Sequence, residues 1–212
     1  MKLKNIVASF PLAALGVVLS YLALDERTAL FVKNLSMSGG LSLFSLNIPD
    51  VLFPFVCLIT STAWIAFFFL TRRGIYNTHT RFFQLIAVSI PLANMAKWLL
   101  KYLIGRISTR FWLLYPRAHE FHWLHGTGNF TGFPSGHMTV FTALVAALWA
   151  YYPRHKTFYA VFLASLALAL VATNYHFISD IIAGTYTGLF VHAATDSALT
   201  ALRGPGKKHR AP

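Results

Sequence analysis

Five consecutive residues, Phe133-Pro134-Ser135-Gly136-His137, combine a helix stop, a hydroxyl, a flexible backbone position and an imidazole. Pro134 cannot continue a helix from upstream, and Gly136 lets the backbone turn tightly against a ligand. Met138 to Tyr152 carries no charge and reads as a helix. Ser135, Gly136 and His137 therefore sit at a helix N-terminus, where free N–H groups and the helix dipole favour an anion. Ser135 adds a hydroxyl donor and His137 a proton. An ordinary Ser N-cap after a loop would use the same residues, so the segment gains meaning from its company. Downstream, His176 and Asp180 stand at i and i+4. A carboxylate beside an imidazole fixes its tautomer and favours its charged form. An aspartate followed by Ile181-Ile182 in an apolar helix would be costly without such a partner. Upstream, Lys97 and Lys101 lie one turn apart on one helix face, followed by Arg106 and Arg110.

The elements that must position these groups are apolar. Of 212 residues, 56% are hydrophobic and only 11% charged, against roughly 25% charged in an ordinary soluble domain. This composition predicts an all-α integral membrane protein. Spans are expected at Asn5 to Leu24, Val51 to Thr71, Phe82 to Ile104, Met138 to Tyr152, Thr157 to Tyr175 and Phe177 to Thr195. An uncleaved first helix is preferred over a signal peptide, because the run is long and no small-x-small cleavage site follows it. Asp25 to Asp50 reads as a connector with an amphipathic piece around Leu41 to Leu46. Pro91 is expected to kink the third span. Residues 1–200 thus form one six-helix membrane domain, and 201–212 a basic cytoplasmic tail. The lone Cys57 excludes an intrachain disulfide.

The net charge of +12 would suit nucleic acid, but the cations fall in short clusters between apolar runs, as membrane topology requires. Six spans put Lys2, Lys4, Arg72, Arg73, Arg81, Arg154, Lys156 and the tail on one side, which the positive-inside rule makes cytoplasmic. Lys97, Lys101, Arg106, Arg110 and Arg117 remain on the other side, against that trend. Cations retained there call for another role, snorkelling being the plain alternative for Lys97 and Lys101. On that same face the third span ends, the fourth begins with Ser135 and His137, and the sixth begins with His176 and Asp180.

Ser135-Gly136-His137 after Pro134, followed by His176-x-x-x-Asp180, resembles the type 2 phosphatidic acid phosphatase (PAP2) superfamily, over roughly Lys97 to Gly188. The resemblance implies a six-helix, metal-independent phosphohydrolase without a cofactor. His176 would be the nucleophile forming a phosphohistidine, Asp180 would orient it, and His137 would protonate the leaving oxygen. Lys101, Ser135 and Gly136 would hold the phosphoryl oxygens. The motifs are incomplete. Where the family's first motif has Arg-Pro this chain has Ser108-Thr109, and where the third has Ser-Arg it has Ala169-Leu170. Lys97, Arg106 and Arg110 are the candidates to replace the two arginines, although a lysine does not reproduce a bidentate arginine.

These readings lead to a membrane phosphatase for a lipid phosphate or pyrophosphate at the outer face of the inner membrane. Undecaprenyl pyrophosphate, phosphatidylglycerol phosphate, phosphatidate and a lipid A phosphate all suit an apolar body with a cationic interfacial pocket. A phosphotransferase of the same superfamily is the rival within enzymes, and a non-catalytic anion-binding or transport protein the rival outside them. A transporter would be expected to show broken helices or an inverted repeat, and the sequence shows neither. His119, His122 and His125 invite a metal reading, but His119-Glu120-Phe121-His122 is one residue short of the zincin pattern. A loop packing Trp112, Phe121 and Trp123 at the interface is the expectation instead.

Overall fold

The computed structural model describes residues 2–38, 48–115 and 120–202. Nine α-helices carry the described chain: α1 (Leu3–Ala8), α2 (Phe10–Ala23), α3 (Asp25–Ser38), α4 (Ile48–Arg72), α5 (Thr78–Ile104), α6 (Thr109–Leu114), α7 (Gly136–Tyr151), α8 (Lys156–Ala172) and α9 (Ile178–Leu202). A 3-10 turn, Pro153–His155, leads into α8.

The expected first span is broken at Ser9, between α1 and α2. Pro11 is the cause that fits: it lacks an N–H and its ring opposes a continuous helix through the preceding turn. The Ser9 hydroxyl donates to the Ile6 carbonyl at 2.8 Å and closes α1. The larger correction is α3, a helix where a connector was expected. Asp25 and Glu26 stand in its first turn, where the dipole favours carboxylates. The Leu41 to Leu46 piece lies outside the described residues.

The remaining helices follow the expected runs with shifted ends. An Asn77–Thr80 capping box starts α5 four residues early. Glycine at 105 ends it in the left-handed conformation, φ 56°. Pro91 lies inside α5. Among the described residues, three helical stretches are long and apolar enough to cross a membrane: Pro54–Arg72, Thr78–Ile104 and Pro153–Ala172. The expected six are therefore not all carried by length and composition. Helices α2 and α7 are apolar but have only 14 and 16 residues, about 21 and 24 Å against a hydrocarbon core of about 30 Å. Helix α9 is long, but Asp180, His192 and Asp196 interrupt its apolar character.

Helices α5, α7 and α9 pack around a core that includes Leu85, Ile90, Val140, Ala143 and Val191. Apolar side chains also cover the outside: Leu58, Ile65 and Phe68 on α4, Leu12 and Leu22 on α2, Phe158 and Leu168 on α8. Exposed apolar faces on several helices suit a lipid surround better than water. Close approach of α9 to α7 depends on Gly184 and Gly188. A Cβ at 184 would stand 2.5 Å from the Ser135 carbonyl oxygen, and one at 188 would stand 2.4 Å from that of Thr139.

Candidate active site

One end of the bundle gathers the C-terminal turn of α5, the N-terminus of α7, the α8–α9 turn and the α2–α3 junction. Between α5 and α7 the chain folds back over that end. Gly126 N–H donates to the Tyr102 carbonyl at 3.1 Å, Leu124 N–H to Leu103 at 3.0 Å, and Gly132 N–H to Arg106 at 2.8 Å. The Lys101 ammonium donates to the Thr131 carbonyl.

Ser135 is the N-cap of α7. Its hydroxyl accepts from Met138 N–H at 3.4 Å, and its own N–H donates to the Asp180 carbonyl at 3.0 Å. It is fully buried and lines neither cavity described below. The capping role weighed against phosphate binding in the sequence is thus the contact seen for its side chain. Gly136 instead lets Lys97 close on the backbone, since a Cβ there would stand 3.0 Å from Lys97 Cδ.

His176 and Asp180 meet, but not across a regular helix turn. His176 lies before α9, in the turn from α8, and Asp180 lies in the first turn of α9. Asp180 Oδ2 accepts from Phe177 N–H at 3.1 Å and stands 3.5 Å from His176 Nδ1. That separation brings the two side chains into contact but is long for a hydrogen bond. His176 is almost completely buried. Burial pushes its imidazole below the usual histidine range, against the opposing pull of Asp180. His137 is half-buried on the first turn of α7, its ring centroid 6.4 Å from that of His176.

Two cavities meet at Lys101, Tyr175 and His176. The first, about 120 Å³, adds Lys97, Gly136 and His137 on one side and Val56, Trp98, Val140 and Phe141 on the other. The second, about 230 Å³, adds Ser108, Arg110, Gly128, Thr131 and Gly132. Arg110 is held by the Thr173 carbonyl, at 3.4 Å from Nε and 3.3 Å from Nη2, and lies over the Tyr175 ring. Lys97, Lys101 and Arg110 therefore all border cavities that His176 also borders.

Arg106 takes a different place. It is 2% exposed and borders neither cavity. Its Nη1 donates to Asp180 Oδ1 at 2.8 Å and to Ser179 Oγ at 2.6 Å, and its Nη2 to Asp25 Oδ2 at 2.8 Å. Burial opposes its charge, but Asp180 and Asp25 outweigh this and raise its pKa above the usual guanidinium value. Asp25 also accepts from Ser179 N–H at 3.0 Å and from the Ser179 hydroxyl. Sequence reasoning missed both Asp25 and Ser179. The available signal was an acidic residue between two apolar runs, in a chain with only six acidic residues.

Of the loop residues, Trp112 is buried against Phe177, while Trp123 is exposed and stacks on Phe121. His122 stacks on Phe130. Among the described residues no group of three or more His, Cys, Asp or Glu side chains gathers as a metal site, and His119 lies outside them.

This is the arrangement of a helical protein with apolar outer faces and a buried histidine, set beside a carboxylate, that opens on cationic cavities. A model of the PAP2 superfamily matches residues 82–201, more than half of the chain, and the protein belongs to that superfamily. Phosphatase-type activity is what membership suggests. No curated protein and no solved structure matches the chain.

Proposed function

We propose that the protein is a membrane phosphatase that hydrolyses a lipid phosphate or pyrophosphate through a phosphohistidine. The observation that carries this reading is His176, buried beside Asp180 yet bordering two cavities that also present Lys97, Lys101, Arg110 and His137. The phosphoryl group lies among Lys97, Lys101, Arg110 and the Gly136 backbone, which offset its charge. Neutral His176 attacks phosphorus while the bond to the leaving oxygen breaks. His137 gives its proton to that oxygen, so it must be protonated when His176 is not. In the second half, His137 takes a proton from water, the water oxygen attacks phosphorus, and the phosphorus–nitrogen bond to His176 breaks. Asp180 stabilises the imidazolium character that develops on His176.

The lipid part of the substrate rests on the apolar wall of the smaller cavity, Val56, Trp98, Val140 and Phe141. In this reading α2, α7 and α9 cross the membrane together with α4, α5 and α8, and the site opens at the outer face of the inner membrane. The test is phosphate release by purified protein from a panel of lipid phosphates and pyrophosphates, with and without chelator. Release from at least one substrate, lost in His176→Ala and insensitive to chelator, is expected. No release from any, or release that survives His176→Ala in folded protein, would overturn the reading. Transfer of the labelled phosphoryl group to an added alcohol in place of water would identify a phosphotransferase.

A further inference from the structure

We propose that Asp25 is a positioning residue of this site: acting through Arg106 and Ser179, it holds Asp180 in place and keeps the charged group behind His176 net negative. The proposal rests on the reading of His176 as nucleophile. Asp25 stands at the head of α3, far upstream of the residues matched to the superfamily, 82–201. It is 2% exposed, and its carboxylate is engaged by Arg106 Nη2, Ser179 N–H and the Ser179 hydroxyl. A carboxylate taken so far from water is costly unless fully paired, and this one is paired with Arg106, which also holds Asp180, and with Ser179, the residue just before it.

The charge count gives the pairing a purpose. Arg106 bridges two carboxylates, one nitrogen to each. Two negative charges and one positive leave one net negative charge behind His176. That residual charge offsets the imidazolium that forms when His176 takes up phosphorus. Without Asp25, Arg106 would neutralise Asp180 by itself, and the developing cation would be uncompensated. The other groups around the ring do not supply the missing charge. Lys101 from α5, Arg110 from α6 and His137 from α7 are cationic or neutral, and Tyr175 is neutral. Arg106 thus cannot support Asp180 catalytically unless a second carboxylate balances it, and Asp25 is placed to do so.

Asp25→Asn keeps the shape and an acceptor for Ser179 while removing the charge. Expected is a fall in kcat of roughly ten- to a hundredfold, the scale seen when a group that orients a first-contact residue is lost, with KM within about threefold because no phosphate contact changes. The acid limb of kcat/KM should move to lower pH, since a more positive surround disfavours protonated His176. In an Asp180→Asn background, Asp25→Asn should cost clearly less than in the wild type, because the part of its effect that acts by holding Asp180 is gone and only its charge is left to lose. Asp25→Glu, which retains the charge, should recover most of kcat. A purely structural Asp25 would lower the yield of folded protein, add its loss to that of Asp180→Asn, and leave the pH limb in place. An unchanged kcat in folded Asp25→Asn, or full additivity with Asp180→Asn, overturns the proposal. A readout that needs no turnover is the NMR titration of 15N-histidine-labelled protein, with the His176 signal identified by its loss in His176→Gln. Asp25→Asn should shift that titration downward, and an unmoved titration overturns the proposal. If the wild-type protein releases no phosphate, the phosphatase reading fails while this titration still decides the role of Asp25.

Discussion

A neutral imidazole is what attack on phosphorus requires, and burial of His176 favours that form. With its pKa lowered, His176 stays neutral down to a more acidic pH than a free histidine. The rate is therefore present above that lowered pKa and lost as pH falls through it. The acid limb of kcat/KM is expected below the usual histidine value of about 6.5. A pH–rate profile whose acid limb lies at or above that value would exclude His176 as the group responsible. The same residue gives the sharpest substitution. His176→Ala should remove turnover by several orders of magnitude, as deletions of a nucleophile do. Asp180→Asn should cost less, because the nucleophile remains while its orientation and charge support are lost. Trapped labelled phosphate, acid-labile and base-stable, would be seen in wild type and missing in His176→Ala. That His137, His176 and Asp180 come near one another was legible in the sequence, because short spacings and helix ends bring them together. Arg106 was not legible in the same way. Its position five residues after Lys101 says nothing about whether its guanidinium enters the cavity or turns inward, and a carboxylate more than 80 residues upstream receives it.

At the scale of elements, apolar runs located α4, α5, α7, α8 and α9 well, whereas α3 was hidden. Its mean composition is polar, and what anchors its head is the long-range contact of Asp25 with Arg106 and Ser179. Local patterning cannot express a contact of that kind. Close packing of α9 on α7, by contrast, rests on a small residue, Gly184. Gly184→Ala would gain about 1 kcal/mol of helix propensity, yet its Cβ would meet the Ser135 carbonyl at 2.5 Å and Met138 Cβ at 3.0 Å. Backbone cannot yield as a flexible side chain does, so overpacking should dominate, with a net loss of about 1–3 kcal/mol. Gly16→Ala is the matched control. Its nearest neighbour is Ile182 Cγ2 at 3.9 Å, an ordinary contact, and it should be neutral or stabilising. Thermal unfolding of both variants in one detergent would check the pair. If Gly184→Ala matched Gly16→Ala in stability, the close approach of α9 to α7 would be refuted. Because Ser135 heads α7, activity should fall with stability in Gly184→Ala and remain intact in Gly16→Ala.

Across the whole molecule, the two ends of the bundle differ in what their cations do. At one end Arg81 pairs with Asp196 at 3.2 Å and donates to Thr200 at 2.6 Å, while Arg72 and Arg73 lie over Phe68 and Phe69. These are surface contacts of modest energy, as expected of charges kept mainly for orientation. At the other end Lys97, Lys101 and Arg110 border the cavities, and Arg106 is buried between carboxylates. A positive-inside arrangement therefore predicts that the first end, with both termini, is cytoplasmic and that the chain from Arg106 to Gly132 is outside. Cysteine labelling in intact cells tests this directly. Cys57 is the single native cysteine and is exposed on α4, so it is first replaced by serine. Trp123→Cys, exposed on the loop over the cavities, should then react with an impermeant maleimide from outside. Arg154→Cys, exposed between α7 and α8, should react only after permeabilisation. The opposite pattern would put the cavities in the cytoplasm and remove the outer leaflet as the source of substrate. It would leave the His176–Asp180–Arg106 arrangement untouched, because those contacts do not depend on which compartment they face.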